Sequence, residues 1–304
     1  MSHRIGVIDI GTNTILCLKA ATEDGRIDII SDNRFHYRAG SRLDDAGNIS
    51  REYKYSMKRA LVTALATLED CSQIRITATE VLRKPKDGAA FATQLSYDVG
   101  HSIEIITQNR EAELGFKGAT FGIEAPPDRY AVLDVGGGSS ELAVGSRSKL
   151  RRWSGIRLGA VTATEAAGYE RPVAAYSAIA DAAFAESDFG RVLEPKPEVQ
   201  YIIGGSAVTL AMVMAGLQRF ELSEVMGFPL GKADLAVQLD RLVSLSLSER
   251  RKIMAFDAER ADIIVSGGAI ILSFMRNFSY DELRVSPNGL RHGLLLEIVS
   301  LRKA

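Results

Sequence analysis

The chain has 304 residues, enough for two domains, because single hydrophobic cores stop growing near this size. Lys+Arg 37 against Asp+Glu 38 leaves a formal net charge of -1, which excludes the strongly basic balance of a nucleic-acid binder, so a polyanionic ligand would need a local basic patch. Two cysteines, Cys17 and Cys71, exclude a disulfide framework and fit a reducing, cytoplasmic setting.

Met1 to Arg4 leads straight into a strand, without the charged start and long apolar core of a signal peptide. Gly6 to Ile10 is short, apolar and β-branched; Gly11 to Thr14 is a run of small residues, and Ile15 to Lys19 reads as the returning strand of a hairpin. Arg51 to Leu68 has apolar residues at helical spacing, Ile74 to Ala78 is a strand, Gly88 to Val99 a helix and Ile103 to Ile106 a strand. The Pro126-Pro127 pair disfavours regular structure and sets the expected domain boundary, giving domains 1–124 and 125–304.

Tyr130 to Val135, Gly136 to Ser140 and Glu141 to Val144 then repeat the first hairpin. In register, Asp9 pairs with Asp134, Gly11 with Gly136, and Thr14 with Ser139, an internal repeat that implies two similar α/β domains. Tyr201 to Ile203 is a strand that runs through Gly204-Gly205-Ser206 into a helix, Ala207 to Leu217. Lys232 to Leu245, Leu247 to Met254, Gly268 to Met275 and Gly293 to Arg302 read as helices, the last a candidate to pack back on the first domain. Ile263 to Met275 is the most apolar late stretch, but Ser266, Gly267 and Gly268 interrupt it and it is too short to span a bilayer. The mixed order makes the fold class α/β.

A glycine-rich turn between strands lets backbone N–H groups converge on an anion. Gly11, Thr12, Asn13 and Thr14 in the first copy, and Gly136, Gly137, Gly138 and Ser139 in the second, are the candidate phosphate-binding residues. An aspartate before such a turn repels phosphate unless a divalent cation lies between them. Asp9, Asp134 and Glu141 therefore suit a Mg²⁺, with Mn²⁺ as the alternative, that keeps most of its water and bridges carboxylate to phosphate. Neither copy ends in the Gly-Lys-Ser/Thr of a Walker A loop, and neither opens a helix as a dinucleotide fingerprint does.

With these residues in place, the sequence resembles the exopolyphosphatase and guanosine pentaphosphate phosphohydrolase (Ppx/GppA) family of the actin-like ATPase and sugar-kinase superfamily. "IDIGTNT" and "LDVGGGSSEL" resemble that family's two phosphate motifs; "TATEVLR", "NREAELGFKG", "LGAVTATE", "IIGGSAVTLA", "ERADIIVSGGAIIL" and "NGLRHGLLLE" follow in the family's order. The resemblance implies two actin-like (ribonuclease H-like) domains with the active site in the cleft between them, and hydrolysis of a terminal phosphoanhydride. It puts Glu111 in the place of the catalytic glutamate, with Glu113 as the neighbouring contender, and Arg83 in the place of a phosphate ligand. Glu80 and Val81 depart from the small or apolar residues usual before Leu-Arg, and His292 stands where glutamate is common.

Inorganic polyphosphate is the expected substrate and guanosine pentaphosphate (pppGpp) the alternative; an ATP-driven actin-like switch or a polyphosphate sensor without turnover are the readings of a different class. A long polyanion asks for basic residues leading away from the loops, and Arg34, Arg38 and Arg42, or Arg147, Lys149, Arg151 and Arg152, are the candidates, read as loop residues. Phe35, Tyr37 or the "GGSAVT" loop, Gly204 to Thr209, are candidates to line a base pocket. Enzymes of the kind the resemblance names often pair, so a homodimer joins the expected partners; nucleic acid and membrane do not.

Overall fold

The computed structural model describes residues 3–23, 26–37, 42–123, 127–146, 149–197 and 199–301. It divides into two compact α/β units, one made of 1–114 and 290–304 and the other of 115–289. The boundary expected at 124/125 lies outside the described residues, as do Arg38 and Arg147, and the division between the units falls at Leu114/Gly115.

The first unit begins with an antiparallel meander of β1 (His3–Ile10), β2 (Thr14–Glu23) and β3 (Arg26–His36). Helix α1 (Arg51–Ala66) follows, then β4 (Gln73–Ala78), a one-turn α2 (Glu80–Arg83), α3 (Gly88–Val99), β5 (Ile103–Ile105) and the start of α4 (Gln108–Ala119). The sheet order is β3-β2-β1-β4-β5, with β4 and β5 parallel to β1. Ser50 caps α1 by accepting from Tyr53 N–H, and Tyr53, Met57, Leu61 and Ala64 form its buried stripe. That stripe packs with Ile8, Ile10, Ile15 and Cys17 on one face of the sheet. Ile5, Val7, Leu18 and Ala20 on the other face pack with Leu294, Leu295 and Ile298 of the last helix, which belongs to this unit. Burying each such large apolar side chain contributes about 1.5–3 kcal/mol. By strand alternation Asp9 continues the Ile5–Val7 row, so the chain delivers its carboxylate to that second face.

The second unit repeats the meander with β6 (Tyr130–Val135), β7 (Ser140–Ser146) and β8 (Lys149–Ile156). Helices α5 (Ala160–Ala167), α6 (Val173–Ala185) and α7 (Phe189–Val192) lead to β9 (Val199–Ile203) and α8 (Gly205–Met214). After α9 (Leu222–Val225) come β10 (Pro229–Gly231), α10 (Lys232–Ser244), α11 (Leu247–Ile253), α12 (Ile264–Asn277) and β11 (Glu282–Val285); the chain returns to the first unit as α13 (Leu290–Leu301). The sheet order is β10-β11-β9-β6-β7-β8. The copies agree in detail: the strand register slips at Lys19/Ala20 in the first meander and at Val144/Gly145 in the second, the same place in the repeat. No helix among the described residues is long and apolar enough to cross a membrane.

Candidate phosphate-binding and catalytic site

Each hairpin closes over a four-residue loop in the same way. Ile10 pairs with Ile15 and Gly11 N–H donates to Thr14 C=O at 3.1 Å; Val135 pairs with Ser140 and Gly136 N–H donates to Ser139 C=O at 3.0 Å. Between these bonds the amides of Thr12 and Asn13, and of Gly137 and Gly138, have no hydrogen-bond partner among the described residues. The loop carbonyls, by contrast, are tied down. In the first unit the Tyr37 hydroxyl donates to Gly11 C=O and the Tyr53 hydroxyl to Thr12 C=O. In the second, the start of α5 does this work: Ala160 N–H donates to Gly136 C=O at 2.9 Å and Val161 N–H to Gly137 C=O at 2.8 Å. Anchored carbonyls with unspent amides are the arrangement that receives an anion. Asn13 adds a side-chain amide, 3.1 Å from Thr14 Oγ1 and 3.4 Å from His36 Nδ1.

Glycine is required where α5 underpins the second loop. A Cβ on Gly159 would stand 2.5 Å from the Gly137 carbonyl carbon and 2.6 Å from the Gly136 oxygen, both backbone atoms that cannot step aside. Gly159→Ala should therefore displace the Gly136–Ser139 loop, destabilise the chain by about 1–3 kcal/mol and raise KM for phosphate substrates; thermal melting and steady-state phosphate release would check both. Gly204, at φ +104°, is a second such point, where a Cβ would lie 2.5 Å from Val135 C=O and 3.1 Å from Asp134 Oδ1.

The acids differ between the copies. Asp9 is buried and stands opposite Leu16, whereas Asp134 stands directly opposite Glu141, which is only 2% exposed. Residues directly opposite in an antiparallel pair project from the same face, so the second unit holds two carboxylates side by side. That donor set, two carboxylates beside a loop rich in N–H groups, fits a hydrated Mg²⁺. No group of three or more His, Cys, Asp or Glu side chains is placed to hold a metal ion among the described residues.

Glu111 lies in the first turn of α4 and is buried at 9% exposure. Its Oε2 is 2.9 Å from Arg83 Nη2. Arg83 Nη1 donates to Ile106 C=O at 2.9 Å, and Nη2 is 3.4 Å from Glu80 Oε2, so one guanidinium is shared by two acids and a carbonyl. Arg83 is thus an orienting partner of Glu111 within the first unit. Glu113 points elsewhere: it accepts from Arg110 at 2.7 Å, and Arg110 also bonds Glu297 of α13.

The residues read as basic loop positions lie on strands, Arg34 on β3 and Lys149, Arg151 and Arg152 on β8, while Arg42 is buried. Tyr37 does not offer a free ring for a base. It is 4% exposed, packs edge-on to Tyr53 at 5.2 Å, and burial pushes its hydroxyl pKa well up, which keeps it a donor to the loop. Sequence reasoning missed this clamp because Tyr53 reads as an ordinary core position of α1. It also missed a buried cluster beside α8. Arg260 Nε donates to Asp257 Oδ2 at 3.0 Å, Thr209 Oγ1 donates to the same oxygen at 2.6 Å, and the guanidinium lies so close over Gly205 that a Cβ there would collide with it. The available signal was the Asp257/Arg260 spacing of three, close enough for an ion pair within one turn of chain, here a 3-10 stretch that kinks at Asp257.

Two mixed-sheet units, each built on the same glycine-loop hairpin, define a two-domain α/β protein. The model of the Ppx/GppA phosphatase family matches residues 19–302, and the chain belongs to that family of phosphoanhydride hydrolases. It is 25% identical over 297 residues to the guanosine-5'-triphosphate,3'-diphosphate pyrophosphatase of Vibrio vulnificus, a match that takes in 96% of this chain and 59% of that protein's length. It is 24% identical over 320 residues to exopolyphosphatase 2 of Mycobacterium tuberculosis, covering 97% of this chain and 98% of that one. The Aquifex aeolicus member of the Ppx/GppA family has the same fold, with a TM-score of 0.81 at 23% identity and complete coverage of both chains.

Proposed function

We propose that the protein is an exopolyphosphatase that removes the terminal phosphate of inorganic polyphosphate and releases orthophosphate. The observation that carries this reading is Glu111, a buried carboxylate fixed on Arg83. A carboxylate near phosphate repels its ligand unless it does chemistry, and the chemistry that suits it is to orient and partly deprotonate a water in line with the scissile P–O bond. In this reading Gly11 to Thr14 and Gly136 to Ser139 hold phosphate oxygens through their free amides. Asp134 and Glu141, with Asp9 as the matching acid of the first unit, would hold Mg²⁺; when bound, the ion neutralises the charge of the phosphates. Polyphosphate is preferred because exopolyphosphatase 2 matches the chain over nearly the full length of both proteins.

Hydrolysis of guanosine pentaphosphate is the second reading, favoured by the resemblance to the Vibrio vulnificus protein. Phosphate release from long-chain polyphosphate, tripolyphosphate, guanosine pentaphosphate and ATP, with Mg²⁺ and after its chelation, would decide. Mg²⁺-dependent release from polyphosphate is expected. Preference for the guanosine nucleotide would establish the second reading, slow turnover of ATP alone would replace both with a nucleotide-driven switch, and tight polyphosphate binding with no release would make the protein a sensor.

A further inference from the structure

The second unit carries one unbalanced run of charge away from its loop. Lys149, Arg151, Arg152 and Arg157 fall within nine residues that contain no acid. The first three lie on β8, the edge strand of the sheet, which pairs with β7 on one side. Lys149, Arg151 and Arg157 are exposed and Arg152 is half-buried, and none of the four side chains has an ion-pair or hydrogen-bond partner among the described residues. Several bases elsewhere in the chain meet carboxylates, Arg75 with Glu104, Arg110 with Glu297, Lys232 with Asp281 and Arg250 with Glu170, whereas this run gathers four that do not. The neighbouring α7 adds an exposed Arg191, with Asp188 at its N-cap.

The run also has a direction. Its loop end is where Gly155 pairs with Glu141 and Ile156 with Ser140. Arg157 stands two residues before Gly159, whose Cα abuts Gly136 and Gly137. Arg152 opposite Val144 and Lys149 opposite Ser146 then lead off along the edge, with Arg151 between them at the slip in the β7–β8 register. A row of unneutralised cations that starts at an anion loop and recedes from it matches a linear anion held by one end. A nucleic acid fits less well, since it would want exposed aromatic faces for its bases, and Trp153, the aromatic of this strand, packs into the cluster of Phe116, Tyr130 and Tyr201.

We propose that β8 and Arg157 form a track for the trailing chain of inorganic polyphosphate whose end occupies the Gly136–Ser139 loop. This rests on the exopolyphosphatase reading for its substrate, but it is tested by binding as well as turnover. The combined variant Lys149→Ala, Arg151→Ala, made in the full chain, should weaken binding of long-chain polyphosphate about tenfold and flatten its salt dependence, because fewer counterions are exchanged. Its kcat/KM on tripolyphosphate, too short to reach these two positions, should stay within about twofold of wild type, and Lys149→Arg, Arg151→Lys, which keeps both charges, should retain most of the long-chain affinity. Unchanged long-chain affinity would overturn the track and leave these cations as a device that deters pairing at a sheet edge. Equal losses on long and short chains would also overturn it, by placing the residues at the reacting end. If wild type binds long chains through these residues yet hydrolyses none, the track stands and the hydrolase reading fails.

Discussion

Glu111→Gln should lower kcat on polyphosphate by about two to four powers of ten while leaving binding nearly intact. The amide keeps the shape of the side chain beside Arg83, so what it removes is the carboxylate's charge and its ability to take a proton from water. Glu111→Ala should cost at least as much in rate, since it also strips Arg83 of the partner at 2.9 Å that orients it. Glu113→Gln is the control. Its carboxylate is engaged by Arg110 and is 32% exposed, so it should lose a partly solvated ion pair of about 0–1 kcal/mol and keep its turnover. Single-turnover phosphate release beside equilibrium binding would separate the two effects. Wild-type rates in both Glu111 variants would mean that another residue activates the water.

Acid should destabilise the protein well before its carboxylates titrate. On α13, Arg291 Nε donates to Asp32 Oδ1 of β3 at 2.7 Å and its Nη2 bonds the second oxygen, while His292 Nε2 lies 3.9 Å from Asp32. Burial, reinforced by the Arg291 charge and only partly opposed by Asp32, lowers the His292 pKa to about 3. Burial alone would raise Asp32, but the Arg291 guanidinium outweighs it and holds the carboxyl below its usual range, with Arg34 adding to the effect. The sign follows from which state binds protons. Below an unfolded-state pKa near 6.5 the unfolded chain protonates His292 and the folded chain does not, so stability falls as pH drops from about 6.5 toward 3. The slope for one such group is about 1.4 kcal/mol per pH unit. Asp32 works in the same direction but lower, its contribution being lost as pH falls through its depressed folded pKa. Urea unfolding at pH 7 and near pH 4.5 should therefore differ by about 2–3 kcal/mol, and His292→Gln should remove most of that difference. An equal slope in the variant would assign the acid sensitivity to other groups.

The chemistry-bearing loops were legible because they depend on local composition: small residues after an aspartate, between apolar runs, written twice at a fixed interval. Tyr130–Val135 and Gly88–Val99 were legible for a similar reason, since each has clear apolar patterning and a flanking glycine. Strand β8, Lys149–Ile156, was not, because an edge strand with basic residues on it lacks the alternation that marks a half-buried strand. The same holds for β3, Arg26–His36, whose residues are largely solvated. Helices α5 and α6 were passed over because alanine-rich sequence gives almost no contrast between faces. Helix α13 begins at Leu290, three residues before the expected Gly293, since Arg291 and His292 read as solvent-facing until Asp32, some 260 positions away in sequence, accounts for their burial. Likewise the pairing of Glu111 with Arg83 is a contact across 28 positions, and no local pattern encodes it.

The two meanders share their loop bond, the register of their first hairpin and even the site of the strand slip, yet they differ at one decisive position, where Leu16 faces Asp9 and Glu141 faces Asp134. Duplicated parts that keep a common frame are free to specialise at single positions, and here the acidic load falls on one copy. The frame therefore poses its own transplant experiment. Leu16→Glu would set a second carboxylate opposite Asp9 on a scaffold that already holds such a pair 125 residues later, and Glu141→Leu would make the later copy resemble the earlier. Whether activity follows the pair or the position would distinguish a trait of the loop from a trait of its surroundings.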